Sequence, residues 1–189
     1  MLITRLASNV GRSGGNRSLL FSLFCRVGLF FVLECLVGRD GMVLAHEEHD
    51  IELLSFIVGS GVAVYARKTY VGLFEVCKHT SYAGIVSIGR EGGVVLKVAG
   101  VYVPPRVSGL TMKEIVGGFG DVDLMVGDFN ARHPHWSGGL DERIYPSGTA
   151  LLEIVREGGL EVCLANELTY RDVSVIDITI HRIPGHFTH

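Results

Sequence analysis

A chain of 189 residues with 48% hydrophobic and 20% charged side chains holds enough apolar material for a buried core, which excludes an intrinsically disordered protein. Its formal net charge of −3 excludes a protein that grips nucleic acid by bulk positive charge, and leaves room for an enzyme that uses a local basic rim and a metal. Cys25, Cys35, Cys77 and Cys163 are scattered without CxxC spacing, so they read as free thiols of a reducing compartment, and no histidine pair completes a zinc motif.

Residues 1–10, MLITRLASNV, predict a short first strand with Asn9 near its end. GRSGGN, residues 11–16, lacks both the Lys-Ser/Thr of a P-loop and the GxGxxG order, and reads as a turn. A helix is expected from Asn16–Ser18 to about Arg26, after which Gly28 releases the chain into the strand LFFVLE, closed by Glu34. A carboxylate closing an apolar strand needs a partner, either a turn, Arg39 or a cation. The stretch from Leu19 to Val37 is apolar, but Arg26 and Glu34 cut it into pieces well short of the ~20 residues a membrane crossing requires, so no membrane association is expected.

His46, Glu47, Glu48, His49 and Asp50 read as a solvated loop. GVAVYA, from Gly61 to Ala66, is a strand that surfaces at Arg67 and Lys68, which are either ordinary surface charge or contacts to a DNA backbone. Two strands follow, AGIVSIG and VVLKVAGVYV, joined by a turn at Arg90–Gly93 and stopped by Pro104 and Pro105, with Tyr102 just before the stop. GLTMKEIVGGFG, residues 109–120, predicts a helix with Thr111 as N-cap. The apolar run Val122–Val126 ends at Gly127, where a buried strand surfaces. Beyond Trp136 a Gly- and Pro-containing loop leads to a helix over Thr149–Glu157, then the strand LEVCLAN and a last strand from Ser174 through Ile180 that carries Asp177.

The chemistry concentrates at Asp128-Phe129-Asn130. On an extended segment, side chains two residues apart share a face, so a carboxylate and a carboxamide meet at one site. Asp128 is suited to take a proton from water, and Asn130 to donate a hydrogen bond to charge developing on a phosphate oxygen. Taken alone the tripeptide also fits a strand end with an Asx turn.

The longer string GDFNARHPHW, with His133, Pro134 and Trp136, resembles the GDFNA-H-P-W box of the endonuclease/exonuclease/phosphatase superfamily, specifically the endonuclease domains of non-LTR retrotransposons. That resemblance covers residues 2 to 180. It implies an α/β fold, a DNase I-like sandwich of two mixed β-sheets flanked by helices, formed here by a single domain that lacks the final strand. It makes Glu34 the principal ligand of Mg²⁺, with Mn²⁺ as a substitute, and gives Asn9 a place beside the metal or the scissile phosphate. Tyr102, in a VYxP box, would bond a phosphate oxygen, and Asp177, in a Ser-x-Ile-Asp strand, would orient the centre. Arg67, Lys68 and His133 would contact DNA. The implied activity is metal-dependent nicking of DNA that primes reverse transcription, with DNA and the reverse transcriptase domain of a parent polyprotein as partners, in the nucleus or cytoplasm of a eukaryotic host.

Two departures stand out. The family's Gln-Glu-Pro is Leu33-Glu34-Cys35 here, and its closing Asp-His pair has no counterpart among His181, His186 and His189. An inactive fragment is therefore the alternative expectation, with a phosphatase of the same superfamily behind it.

Overall fold

The structure is a computed structural model that describes residues 4–6, 19–23, 29–33, 51–57, 60–89, 95–163 and 177–182. They fall into two compact units, Met1–Leu96 and Lys97–His189.

In the first unit, β1 (Thr4–Leu6), β2 (Leu19–Leu23), β3 (Leu29–Leu33), β4 (Ile51–Phe56) and β5 (Val62–Arg67) form a sheet in the order β1-β2-β3-β5-β4, each neighbouring pair antiparallel. The helix expected up to Arg26 is not there: Leu19–Leu23 is strand β2, paired residue for residue with β3. A five-residue apolar run has no period that separates helix from strand, and the neighbouring run LFFVL gives it a ladder on which to satisfy its backbone. β4 was not anticipated. The expected turn at 90–93, the polar cluster at 46–50, Asn9 and Glu34 all lie outside the described residues.

A 3₁₀ turn over Lys68–Leu73 leads from β5 into β6 (Phe74–His79), which pairs antiparallel with β7 (Ala83–Gly89). Thr80 closes this hairpin, its Oγ1 accepting from the amides of Tyr82 and Ala83 at 3.1 and 3.0 Å. The hairpin lies face to face on β4 and β5. A Cβ on Gly84 would collide with the Val64 side chain, and the His79 ring bridges the layers. His79 Nε2 donates to the Val62 carbonyl at 3.1 Å, so Nδ1 is the acceptor for the Ser55 hydroxyl at 2.6 Å.

The second unit contains β8 (Val95–Tyr102) from Lys97 onward, α1 (Gly109–Gly117), β9 (Leu124–Asp128), α2 (Pro134–Ser137), α3 (Pro146–Glu157), β10 (Leu160–Cys163) and β11 (Asp177–Arg182). Its strands run in the order β10-β11-β9-β8, with β8 and β9 parallel and the other pairs antiparallel. The connection from β8 to β9 passes through α1, as a parallel pair requires. Ser108 rather than Thr111 caps α1, its hydroxyl accepting from the Thr111 amide at 3.0 Å. The helix α3 begins at Pro146, three residues before the expected Thr149, because proline at a first turn gives up no hydrogen bond the helix would have made. The two helices pack together and are tied by Lys113 and Glu153, 2.6 Å apart.

The expected α/β class, with mixed β-structure flanked by helices, is what these elements form. Among the described residues no helix is long and apolar enough to cross a membrane.

Candidate active site

The parallel pairing of β8 and β9 brings their carboxyl ends to the same edge of the sheet, and the antiparallel β11 starts there. In register, Tyr102 lies beside Asp128, and Asp128 beside Asp177. Directly paired residues project from the same face, and strands sit about 4.8 Å apart, so a phenol and two carboxylates line up over roughly 10 Å. Three of the four residues expected at the centre therefore come together through backbone pairing alone.

Asn130 reaches the same place by a different route from the alternation predicted for it. β9 ends at Asp128, and Asn130 turns into the left-handed region at φ 46°, which asparagine tolerates better than most residues. Its amide donates to Asp128 Oδ1 at 2.8 Å, and its Nδ2 donates to the Val103 carbonyl at 2.9 Å. The Val103 amide in turn donates to the Asp128 carbonyl at 2.8 Å. The ends of β8 and β9 are thus joined by one backbone bond and one side-chain bond, with Asp128 fully buried between them. One Nδ2 hydrogen of Asn130 is committed to Val103, which leaves the other hydrogen and Oδ1 for a ligand.

Gly127 makes the close approach possible. Its φ is 148°, and a Cβ there would run into the Val101 backbone. Beyond Asn130, Phe129, Ala131 and Trp136 are all fully buried, and the Trp136 indole N–H donates to the Ala131 carbonyl at 3.1 Å. The HPHW half of the box therefore holds the GDFN half in place.

His133 caps α2, its Nδ1 accepting from the His135 amide at 3.1 Å while its ring lies 5.3 Å from that of Trp136. Burial, with the charges of His135 and Arg156 behind it, pushes its pKa below the ordinary imidazole value. Near neutral pH it offers an Nε2 hydrogen and no positive charge. Arg67 and Lys68 are exposed, at the end of β5 in the first unit. His181 is on β11 but pairs with Leu124, four residues along the strand from Asp177, and its Nε2 lies 3.7 Å from Glu161. At about 3.4 Å per residue that is roughly 13 Å from the row of site residues.

Sequence reasoning passed over Arg132 and Tyr145. The Tyr145 amide donates to the Arg132 carbonyl at 3.0 Å, and the Arg132 guanidinium carbon lies 5.2 Å from the centre of the Tyr145 ring. A Cβ on Gly148 would clash with the Arg132 backbone, so the bare first turn of α3 seats this strand exit. Nothing in the sequence marks the pairing before the start of α3 at Pro146 is known. In the same loop Asp141 takes Arg143 in a two-point grip, Nε to Oδ1 at 2.7 Å and Nη2 to Oδ2 at 3.1 Å. Burial pushes the Asp141 carboxyl upward, but the bonds and charge of Arg143, helped by the charge of Arg132, hold it below the usual carboxylate range.

Among the described residues no three His, Cys, Asp or Glu side chains gather into a metal cluster. Asp128, Asp177 and the Asn130 carboxamide are hard oxygen donors, and Mg²⁺ is commonly bound by one or two carboxylates with substrate phosphate and water completing its shell. The donor set fits a magnesium ion to that extent.

Comparison with known proteins bears on the same segment. Residues 96–186 match the family model described as endonuclease-reverse transcriptase. Curated proteins yield no match. Among solved structures the chain is similar to the endonuclease domain of TRAS1, a telomere-specific non-LTR retrotransposon, with a TM-score of 0.55 and 18% sequence identity. That likeness covers 70% of this chain, which spans about 65% of the TRAS1 domain, and it establishes a shared fold.

Proposed function

We propose that the chain is a metal-dependent endonuclease of the endonuclease/exonuclease/phosphatase superfamily, akin to those of retrotransposons, that nicks DNA by hydrolysing a phosphodiester bond. The observation that carries the reading is the register row Tyr102, Asp128, Asp177, with Asn130 folded back onto Asp128 at 2.8 Å. Carboxylates, a phenol and a carboxamide at one strand edge are the groups that in-line attack of water on a phosphodiester requires.

In this reading Asp128 accepts the proton of the attacking water, and the Asn130 amide N–H bonded to Oδ1 fixes its carboxylate. The uncommitted Nδ2 hydrogen of Asn130 and the Tyr102 hydroxyl donate to the non-bridging oxygens as negative charge grows on them. Asp177, paired to Asp128 across the ladder, orients the centre. Mg²⁺, or Mn²⁺ in its place, would be held by Glu34 with Asn9 nearby, and when bound it would neutralise charge on the phosphate. DNA is the substrate, and a reverse transcriptase domain of a parent polyprotein would extend the 3′-hydroxyl left at the nick.

The test is conversion of supercoiled plasmid to open circles with Mg²⁺, set beside hydrolysis of a soluble phosphomonoester. The expected result is nicking that falls by about 10²- to 10⁴-fold in Asp128→Ala, the usual worth of a positioned general base, with no phosphomonoesterase activity. Hydrolysis of the monoester without nicking would transfer the same residues to a phosphatase. No turnover of either substrate by a folded protein would sink the catalytic reading.

A further inference from the structure

We infer that Arg132, stacked on Tyr145, is a substrate-binding residue that takes the DNA phosphate next to the one being cut. The inference rests on the endonuclease reading of the same strand edge and extends it to a residue outside the Asp, Asn and Tyr set.

Arg132 follows Asn130 by two residues, so the two Cα atoms lie within about 7 Å of each other, given the reach of an extended chain. Phosphates succeed one another along a DNA strand at about 3.4 Å of axial rise, so a group this far from Asn130 falls beside a neighbouring phosphate once Asn130 holds the scissile one. The position is fixed on three sides. The Tyr145 amide bonds the Arg132 carbonyl at 3.0 Å, Gly148 leaves no room for the backbone to shift, and Ala131 before it is fully buried under the Trp136 indole.

The guanidinium itself lies over the Tyr145 ring, 5.2 Å from its centre, and the side chain is half-buried. A guanidinium is weakly hydrated and keeps its five in-plane N–H donors when it rests on an aromatic face. Among the described residues no carboxylate or carbonyl takes those donors, and the nearby acid, Asp141, is committed to Arg143 through both of its oxygens. A charged fork held in place with its donors open is pre-organised for an oxyanion, and a phosphate accepts two of its N–H groups at once. A purely structural stack would hold the loop equally well and would have no effect on the salt dependence of DNA binding, which separates the two roles.

The experiment titrates the full chain against a fluorescein-labelled mixed-sequence DNA duplex in EDTA, following anisotropy between about 50 and 200 mM salt. Each phosphate contact contributes about 0.9 to the slope of log K against log salt. Arg132→Met should weaken binding several-fold and lower the slope by about one contact, and Arg132→Lys should restore the slope and part of the affinity. Tyr145→Leu, which removes the ring under the guanidinium, should weaken binding with a smaller change of slope. Lys97→Met removes the same charge at the opposite end of β8 and should change neither. Melting curves for each variant confirm that it is folded. If folded Arg132→Met binds with the wild-type slope, or if Lys97→Met lowers the slope as much, the inference fails and the endonuclease reading stands. If the wild-type chain binds no duplex and nicks no plasmid, the endonuclease reading fails and takes this one with it.

Discussion

Gly127→Ala isolates the contact on which the site is built. At φ 148° the residue occupies a region that is essentially reserved for glycine, and placing an L side chain there costs about 1–3 kcal/mol. The added Cβ would also lie 2.9 Å from both the amide nitrogen and the carbonyl carbon of Val101, and nearer still to its oxygen. No flexible side chain can yield, since every atom in the way is backbone of the paired strand β8. Forced overpacking of this kind costs about 1–3 kcal/mol more. Together the two give a loss of roughly 2–6 kcal/mol, a fall in melting temperature of at least ~4 °C for a chain of this size. Spreading β8 from β9 also separates Tyr102 from Asp128, so nicking should fall further than the unfolded fraction accounts for. The matched control is Gly117→Ala at the end of α1, where an added Cβ meets nothing within 4 Å. It should be neutral or stabilising by up to about 1 kcal/mol. Thermal melts followed by circular dichroism, with the plasmid assay on the same samples, decide the matter. A Gly127→Ala protein that melts within a degree or so of wild type would refute the claim that strand spacing at Val101 is set by the missing side chain.

Two further outcomes follow from the same geometry. Asn130→Gly relieves a left-handed backbone at φ 46° while deleting the carboxamide and its 2.9 Å bond to Val103; the gain offsets a hydrogen bond worth about 0.5–1.5 kcal/mol, so stability should change little. Nicking should nevertheless drop by about 10²- to 10³-fold, as when a single oxyanion donor is removed, and a fall in both stability and activity would assign Asn130 a structural task only. Stability should also decline with acidity. Burial holds the His79 pKa below the ordinary imidazole value, so at high pH neither state is protonated; as pH falls through about 6.5 the unfolded chain takes up a proton before the folded one does, and the loss levels off below the folded value. Urea melts above and below that pH should show the trend in wild type, and a His79→Gln protein with the same slope would place its origin elsewhere, His133 being the next candidate because its pKa is shifted the same way.

The parts of this molecule that could be read from sequence are those whose signal is local. LMVGD and VLKVAGVY announce buried strands by composition, and Pro104 and Gly127 mark their carboxyl ends to within two residues, although β9 runs on through Asp128 and stays buried there where it was expected to surface. The segment LLFSL carries no such signal, because its apolar run suits helix and strand alike and only its register with LFFVL decides. The bridge formed by His79 depends on Ser55 and Val62, 24 and 17 residues away, and no spacing rule connects them. The Arg132 and Tyr145 stack was hidden by the reading of 137–148 as one loop, when α3 already begins at Pro146 and brings Tyr145 back under the strand exit.

Asn130 shows how an expected juxtaposition can be met by a local geometry other than the expected one. Period-two alternation would set its side chain beside that of Asp128, whereas the left-handed turn sets its backbone amide on Asp128 Oδ1 and its side chain on the Val103 carbonyl, and the two make different demands on the neighbours. Alternation would require β9 to continue two residues farther. The turn requires Val103 to present a carbonyl to Nδ2 and its own amide to the Asp128 carbonyl, so the residue after Tyr102 becomes part of the brace that holds Asp128. Both polar backbone groups of Val103 are thereby used at the point where Pro104 forbids any further ladder. The double proline after VYV then serves the site directly: it ends β8 where the Val103 carbonyl is open to a side chain, and Asn130 is the side chain that takes it.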